Sequence, residues 1–252
     1  MTGVQTCALP ILFISEYTTE FVDRWDELID WEKRRAAEGG FFERILNNNG
    51  VLTVLDIACG TGYHTVNLKL NGFEVTGSDG SANMVNKAKE NAARIGLNNA
   101  RLVEAQWTSL SEVFPGERFD AIVCLGNAFT HLFDDGERRK ALGEIYGLLK
   151  DGGVAIIDHR NYDTMLDKGF SSKHQAYYLG ETVDVHPESV SEETVRLRYS
   201  YSDGSVHHLT VCPIRQDHLT GMLCETGFQI VDRYGDFKDR KSTRLNSSHT
   251  SI

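Results

Sequence analysis

Residues 51–57 (VLTVLDI) run directly into the glycine turn Ala58-Cys59-Gly60-Thr61-Gly62, and this junction limits the possible folds more than any other stretch of the chain. An apolar, β-branched run of this length reads as a strand covered on both faces. Two glycines at its end let the backbone take positive φ and leave it bare to a ligand. Helical spacing begins at once, over 64–70, and alternation continues: strand 73–77, helix 82–95, strands 100–105 and 119–125, helix 137–149, strand 154–158. Each parallel pairing needs a long crossover, so this order predicts an α/β fold, a parallel sheet with helices on both faces.

The flanks differ in character. Over 21–37 the residues Phe21, Val22, Trp25, Leu28, Ile29 and Trp31 recur at helical spacing, predicting one amphipathic helix that Gly39-Gly40 stops. A short helix over 41–46 leads to the first strand. After Asn161 the pattern turns to short antiparallel strands at 177–178, 183–185, 195–202 and 206–211, with Asp203-Gly204 as a hairpin turn. These strands read as an insertion capping the carboxyl edge of the sheet. A helix over 217–225 and a further strand starting at 227–231 complete the readable pattern.

Both ends look foreign. One choice of codons for 1–11 (MTGVQTCALPI) gives, on the reverse complement, DRKSTRLNSSH in frame, which is 239–249, and the DNA resembles a sequencing-library adapter. The expected division is therefore 1–11 non-native, 12–50 N-terminal helices or lid, 51–170 core, 171–215 substrate cap, 216–238 the end of the core cut short, and 239–252 non-native. A core cut short there lacks its last strand and leaves a sheet edge open, a cause of instability.

The chain carries 26 basic and 36 acidic residues, a formal charge of −10, and setting the suspect tail aside makes it more acidic still. Such a charge disfavours nucleic acid or an anionic membrane as partner. Cys59, Cys124, Cys212 and Cys224 are scattered without a CxxC pair, which suits reduced thiols of a cytoplasmic protein rather than a disulfide framework or a zinc knuckle. The apolar run at 7–14 lacks the basic flank of a signal peptide, and no run approaches membrane-spanning length. Nine histidines without an HExxH pair predict no metal.

The chemistry centres on the turn and on Asp79, seventeen residues past Gly62 at the end of the second strand, where a carboxylate can accept both hydroxyls of a nucleoside ribose. Thr65 stands where a dinucleotide fingerprint needs its third glycine, and no Gly-Lys-Ser/Thr of a P-loop follows. A nicotinamide oxidoreductase is thereby disfavoured. At this point the sequence resembles the class I S-adenosylmethionine-dependent methyltransferases, and more closely the glycine and sarcosine N-methyltransferases. The segments that carry the resemblance are FVDRWDELIDW (21–31), VLDIACGTG (54–62), CLGNAFTHL (124–132), IDHRNYD (157–163), GFSSK (169–173) and YGDFK (234–238).

The resemblance implies a Rossmann-like class I methyltransferase sheet, S-adenosylmethionine as cofactor, and conversion of glycine to sarcosine, sarcosine to dimethylglycine, or both, on the route to betaine. It assigns cofactor contacts to Tyr17, Trp25, Arg35, Ala58, Gly60, Gly62, Asp79, Gln106, Trp107, Leu125 and His131. Arg35 is the arginine for the cofactor's carboxylate, although Arg34 is adjacent and a one-residue shift exchanges them. Asn127, Arg160, Tyr178 and Tyr199 are the substrate-positioning residues, with Arg160 binding the carboxylate of a small amino acid through two parallel charged hydrogen bonds. Another small carboxylate as substrate, an inactive S-adenosylmethionine-binding fragment, and assembly into a homo-oligomer stay open.

Overall fold

The computed structural model describes residues 15–170, 178–229, 231–235 and 237, and the backbone of His249–Ser251. Its main sheet has the order β3-β2-β1-β4-β5-β9, with β9 formed by His249–Ser251. The five parallel strands are β1 (Thr53–Asp56), β2 (Glu74–Asp79), β3 (Arg101–Glu104), β4 (Phe119–Cys124) and β5 (Leu149–Arg160). The chain builds outward from β1 to β3 and then returns to place β4 on the other side of β1, so the strand order reverses between β1 and β4. Crossovers leave that point in opposite directions and open a crevice at the carboxyl ends of these strands.

Alternate residues of the strands feed opposite layers. Leu55, Ile57 and Ile122 face Leu110 of helix α7 (Leu110–Val113), Ala141, Leu142 and Ile145 of helix α8 (Asp135–Leu148) and Leu219 and Met222 of helix α10 (Gln216–Thr226). Val54, Val75 and Val123 face Phe41, Phe42 and Leu46 of helix α4 (Phe41–Asn48) and Leu68 of helix α5 (Tyr63–Leu70). Helix α6 (Ala82–Arg94) buries Val85, Ala88 and Ala92 against Cys59 and Leu102. The expected α/β sheet with helices on both faces is present.

The N-terminal helix breaks where the periodicity runs on. Instead of one helix over 21–37 there are three, α1 (Thr19–Asp23), α2 (Trp25–Leu28) and α3 (Trp31–Glu38). Ile29 is extended and bridges to Leu179, and the Asp30 side chain accepts from the amides of Glu32 and Lys33 as the N-cap of α3. A pairing distant in the chain therefore overrides local helical spacing.

Helix α9 (Tyr162–Lys168) follows β5, and beyond it β6 (Val183–Val190), β7 (Val195–Tyr201) and β8 (Val206–Val211) form an antiparallel sheet of that order. The expected strand at 177–178 is absent at Tyr178, which lies in a turn, while residue 177 lies outside the described residues. One face of this sheet, including Val185, Val195, Leu197, Leu209 and Val211, packs against Phe21, Leu28, Tyr162 and Met165. Hydrogen bonds from Cys212 N to the Thr130 carbonyl at 2.8 Å, and from Thr210 N and its hydroxyl to the Glu16 carboxylate at 2.7 and 2.8 Å, fasten it over the carboxyl edge. His207 stacks on Phe21 at 4.6 Å while His208 meets Glu188 on the other face, as strand alternation requires.

The strand expected from Gly227 does not form among the described residues. Gly227 takes φ 120 as the end of α10, and Phe228 N turns back to the Leu223 carbonyl, so Phe228 and Val231 pack on the core as irregular chain. The β5 edge expected to stand open is paired at its carboxyl end with β9 (His249–Ser251), antiparallel, with Arg160 opposite His249. No helix among the described residues is long and apolar enough to cross a membrane.

Candidate active site

The turn after β1 is shaped by two carboxylates. Asp56, fully buried, accepts from Ala58 N at 3.2 Å and from the Thr65 hydroxyl at 2.7 Å. Thr65, in the place of a third glycine, thus braces the loop. Close packing of helix on strand is achieved instead by Gly77 of β2, where a Cβ would meet Thr65 Oγ1 at 2.7 Å and Leu102 Cδ2 at 2.6 Å. Gly60 and Gly62 take φ 53 and 101. A Cβ at Gly60 would meet no protein atom within 4 Å, so bare backbone faces open space there. Asp79, at the end of β2, accepts from Gly60 N at 3.0 Å and Ser81 N at 2.9 Å. Burial pushes its carboxyl up to about 6, against the pull of these two amides.

Above the β1/β4 crevice lies a cavity with about 1140 Å³ of empty space, its mouth included. The turn residues Ala58 and Gly60, together with Asp79, form one wall; Gln106, Trp107, Leu125 and His131 form another; and the N-terminal segment adds Tyr17, Trp25 and Arg34. Trp107 donates its indole N–H to the Ile57 carbonyl and packs on the core, and Gln106 donates to the Gly80 carbonyl at 3.0 Å. The Tyr17 hydroxyl is hydrogen-bonded to His131 Nε2 at 3.0 Å, joining the N-terminal segment to the loop after β4. Burial pushes His131 down to about 4, which keeps it neutral at pH 7. Gly62 is not on the wall; its positive φ turns the chain, and a Cβ there would press on Ala88 at 3.3 Å.

The arginine on the cavity wall is Arg34, not Arg35. Arg35 is exposed, whereas Arg34 is buried with its guanidinium 4.6 Å from the Tyr178 ring centre and 5.0 Å from that of Tyr63. Adjacent positions on a helix point about 100° apart, and the docking of α3 through Ile29 and Asp30 turns Arg34 inward.

A smaller cavity, with about 470 Å³ of empty space, continues from the first and shares Tyr17, Trp25, Gly126, His131 and Tyr178 with it. The expected substrate residues Asn127, Arg160, Tyr178 and Tyr199 all line this cavity. Asn127 follows Gly126 in the left-handed region, at φ 66, a conformation that asparagine tolerates better than most residues. Its Oδ1 accepts from Arg160 N and from the Tyr162 hydroxyl, both at 3.0 Å, and its Nδ2 donates to Thr130 at 3.2 Å. Arg160 is 7% exposed and hydrogen-bonded to Tyr178. Burial works against its charge, but the phenols of Tyr178, Tyr162 and Tyr199 hold its pKa above the ordinary arginine value. Tyr199 is raised by burial and keeps its phenolic proton. Cap side chains Val185, Leu197, Leu209 and Val211 close the far side.

Several site residues were not anticipated. Asp158 fixes the Gly126-Asn127 turn, accepting from Gly126 N at 3.3 Å through its side chain and from Asn127 N at 3.2 Å through its carbonyl. Tyr63 and His64 line the larger cavity beside Arg34, and Glu38 lies behind them. The i, i+4 spacing of Arg34 and Glu38 was a readable sign of their pairing. Nothing local, however, marked His64, the second residue of α5, two positions after Gly62.

A model of the methyltransferase domain matches residues 54–153. The chain is 47% identical over 226 residues to a glycine/sarcosine N-methyltransferase of Halorhodospira halochloris, covering 90% of this chain and 84% of that protein. It is 48% identical over 227 residues to a glycine/sarcosine/dimethylglycine N-methyltransferase of Actinopolyspora halophila, of which it spans 40% of the length. In three dimensions it superposes on an S-adenosylmethionine-dependent methyltransferase from Clostridium acetobutylicum with a TM-score of 0.72 at 21% identity, over 92% of this chain and 96% of that one. The fold is that of the S-adenosylmethionine-dependent methyltransferases, and the chain belongs to the glycine/sarcosine N-methyltransferase family.

Proposed function

We propose that this chain is a cytoplasmic N-methyltransferase that uses S-adenosylmethionine to methylate the amine of glycine, of sarcosine, or of both. The observation that carries this reading is Arg160, a buried guanidinium on the wall of a small cavity that opens into a larger one lined by Asp79 and the glycine turn. A small amino acid presents one constant feature, its carboxylate, and a buried arginine fork is the side chain best suited to receive it.

The larger cavity suits the cofactor. Asp79 is placed to accept the ribose hydroxyls, bare backbone at Gly60 allows close approach, Trp107 and Leu125 offer apolar surface to the base with Gln106 beside it, and Arg34 offers a guanidinium to the amino-acid end. When bound, S-adenosylmethionine supplies a methyl group on a positively charged sulfur, electrophilic toward a neutral amine. The residues around the junction of the cavities act by placement: Arg160 anchors the acceptor, Asn127 is held rigid by its bonds to Arg160, Tyr162 and Thr130, and Tyr17, Tyr178 and Tyr199 exclude water. With His131 neutral and Tyr199 protonated, catalysis rests on bringing the nitrogen in line rather than on a strong base.

Methyl transfer to glycine, sarcosine and dimethylglycine measured side by side tests the reading. Glycine or sarcosine should be methylated, and Arg160→Ala should lower kcat/KM about 100-fold or more while S-adenosylhomocysteine still binds. Unchanged kcat/KM in Arg160→Ala would show that the carboxylate is held elsewhere.

A further inference from the structure

Arg34 differs from an ordinary cavity-wall arginine in what stands behind it. Its Nε donates to Glu38 Oε1 at 2.8 Å, one helical turn further along α3. The same oxygen meets His64 Nε2 at 3.1 Å, and Glu38 Oε2 accepts from the Tyr63 hydroxyl at 3.4 Å. The side chains of Arg34 and Glu38 are 5% and 4% exposed. Arg34, Tyr63 and His64 line the larger cavity, while Glu38 does not. The guanidinium thus has one edge committed to a carboxylate behind the wall. Its Nη2 lies 3.3 Å from where a Cβ of Gly126, on the wall itself, would stand.

Glu38 keeps its charge. Burial alone would raise its pKa, but His64 and Arg34 together hold it down at about 2. It therefore balances Arg34 at neutral pH, and it ties α3 of the N-terminal segment to the first turn of α5, next to the glycine loop. An arginine recognises a carboxylate well only when its planar fork is oriented in advance, because an unrestrained side chain must first lose its rotamer freedom.

We propose that Glu38, backed by His64 and Tyr63, is a positioning residue that sets the Arg34 guanidinium to receive the carboxylate at the amino-acid end of the cofactor. This rests on the reading of Arg34 given under Proposed function. Glu38 itself touches neither cofactor nor acceptor and acts through Arg34.

Calorimetric titration with two probes separates the cases. S-adenosylhomocysteine carries the amino-acid end, and 5′-methylthioadenosine lacks it. Arg34→Ala and Glu38→Gln should each weaken S-adenosylhomocysteine about tenfold and leave 5′-methylthioadenosine within about twofold. Glu38→Gln should add little in the Arg34→Ala background, because the two act as one unit. In turnover, Glu38→Gln should raise KM for the cofactor and leave KM for the acceptor as it was. His64→Asn, which removes one bond to the same oxygen, should move the first probe in the same direction by a smaller factor, and it serves if Glu38→Gln fails to fold. If Arg34→Ala weakens S-adenosylhomocysteine and neither Glu38→Gln nor His64→Asn does, the positioning role is overturned while Arg34 keeps its own. Equal weakening of both probes by Glu38→Gln overturns it in favour of general structural damage. No effect of Arg34→Ala removes the reading of Arg34, and this inference with it.

Discussion

Asp79 is a carboxylate that the fold holds against its own solvation. Its pKa stands at about 6, against the ordinary aspartate value of 3.8, so the folded chain keeps a proton between roughly pH 4 and 6 that the unfolded chain has released. Its contribution to stability is accordingly full below about pH 4 and lost as pH rises through about 6. Ligand binding runs the other way, since the ionised carboxylate is the acceptor that ribose hydroxyls need. The affinity for S-adenosylhomocysteine, titrated from about pH 5 to about pH 8, should fall as pH drops through about 6. Asp79→Asn should flatten that dependence, and a wild-type affinity that ignores pH over this range contradicts the ribose role. Asp79 was legible because a carboxylate at a strand end past a glycine turn has few other uses. Arg34 was not, because its neighbour Arg35 carries the same side chain and only the docking of α3 distinguishes them.

At the scale of elements, the β1–α5–β2 unit shows how a motif can keep its geometry while changing its letters. The close approach that a third glycine allows elsewhere is provided here by Gly77 on the neighbouring strand, which leaves room for Thr65 to brace Asp56. Gly77→Ala would push a methyl group to 2.6 Å from Leu102 and 2.7 Å from Thr65. Urea denaturation should show a loss of about 1–3 kcal/mol, the usual cost of overpacking; an unchanged midpoint would mean that α5 and β3 shift freely. The broken N-terminal helix was illegible for a related reason. Apolar spacing over 21–37 is helical throughout, and the break comes from Ile29 pairing with Leu179, although Asp30 was in place as a capping residue.

Across the whole molecule, the two cavities draw their walls from two packed units, which the proposed function uses for cofactor and acceptor respectively. The parallel sheet and its helices form the cavity with Asp79 and the glycine loop, and the antiparallel cap, with its own buried cluster, closes the smaller cavity around Arg160. Trimming the cap face should therefore affect the acceptor and spare the cofactor. Leu209→Val removes one methylene from the smaller cavity's wall; it should raise KM for the acceptor about 3- to 10-fold and keep S-adenosylhomocysteine affinity within about twofold. An equal loss in both would mean that the two units do not act separately.

The amino-acid sequence alone determined what depends on neighbours along the chain: the strand-turn-helix around Gly60, the alternation that forces a parallel sheet, the Asp203-Gly204 hairpin, and the residue types at the strand ends, Asp79, Asn127 and Arg160. Only the tertiary structure decided which face of α3 looks inward, how Glu38 and His64 stand behind Arg34, and how Tyr178 and Tyr199 come to roof Arg160. The physical reason is one of range. Turn and strand preferences are set by backbone sterics and side-chain shape within a few residues, whereas the rotation of a helix and the seating of a cap are fixed by packing and hydrogen bonds between segments far apart in the chain.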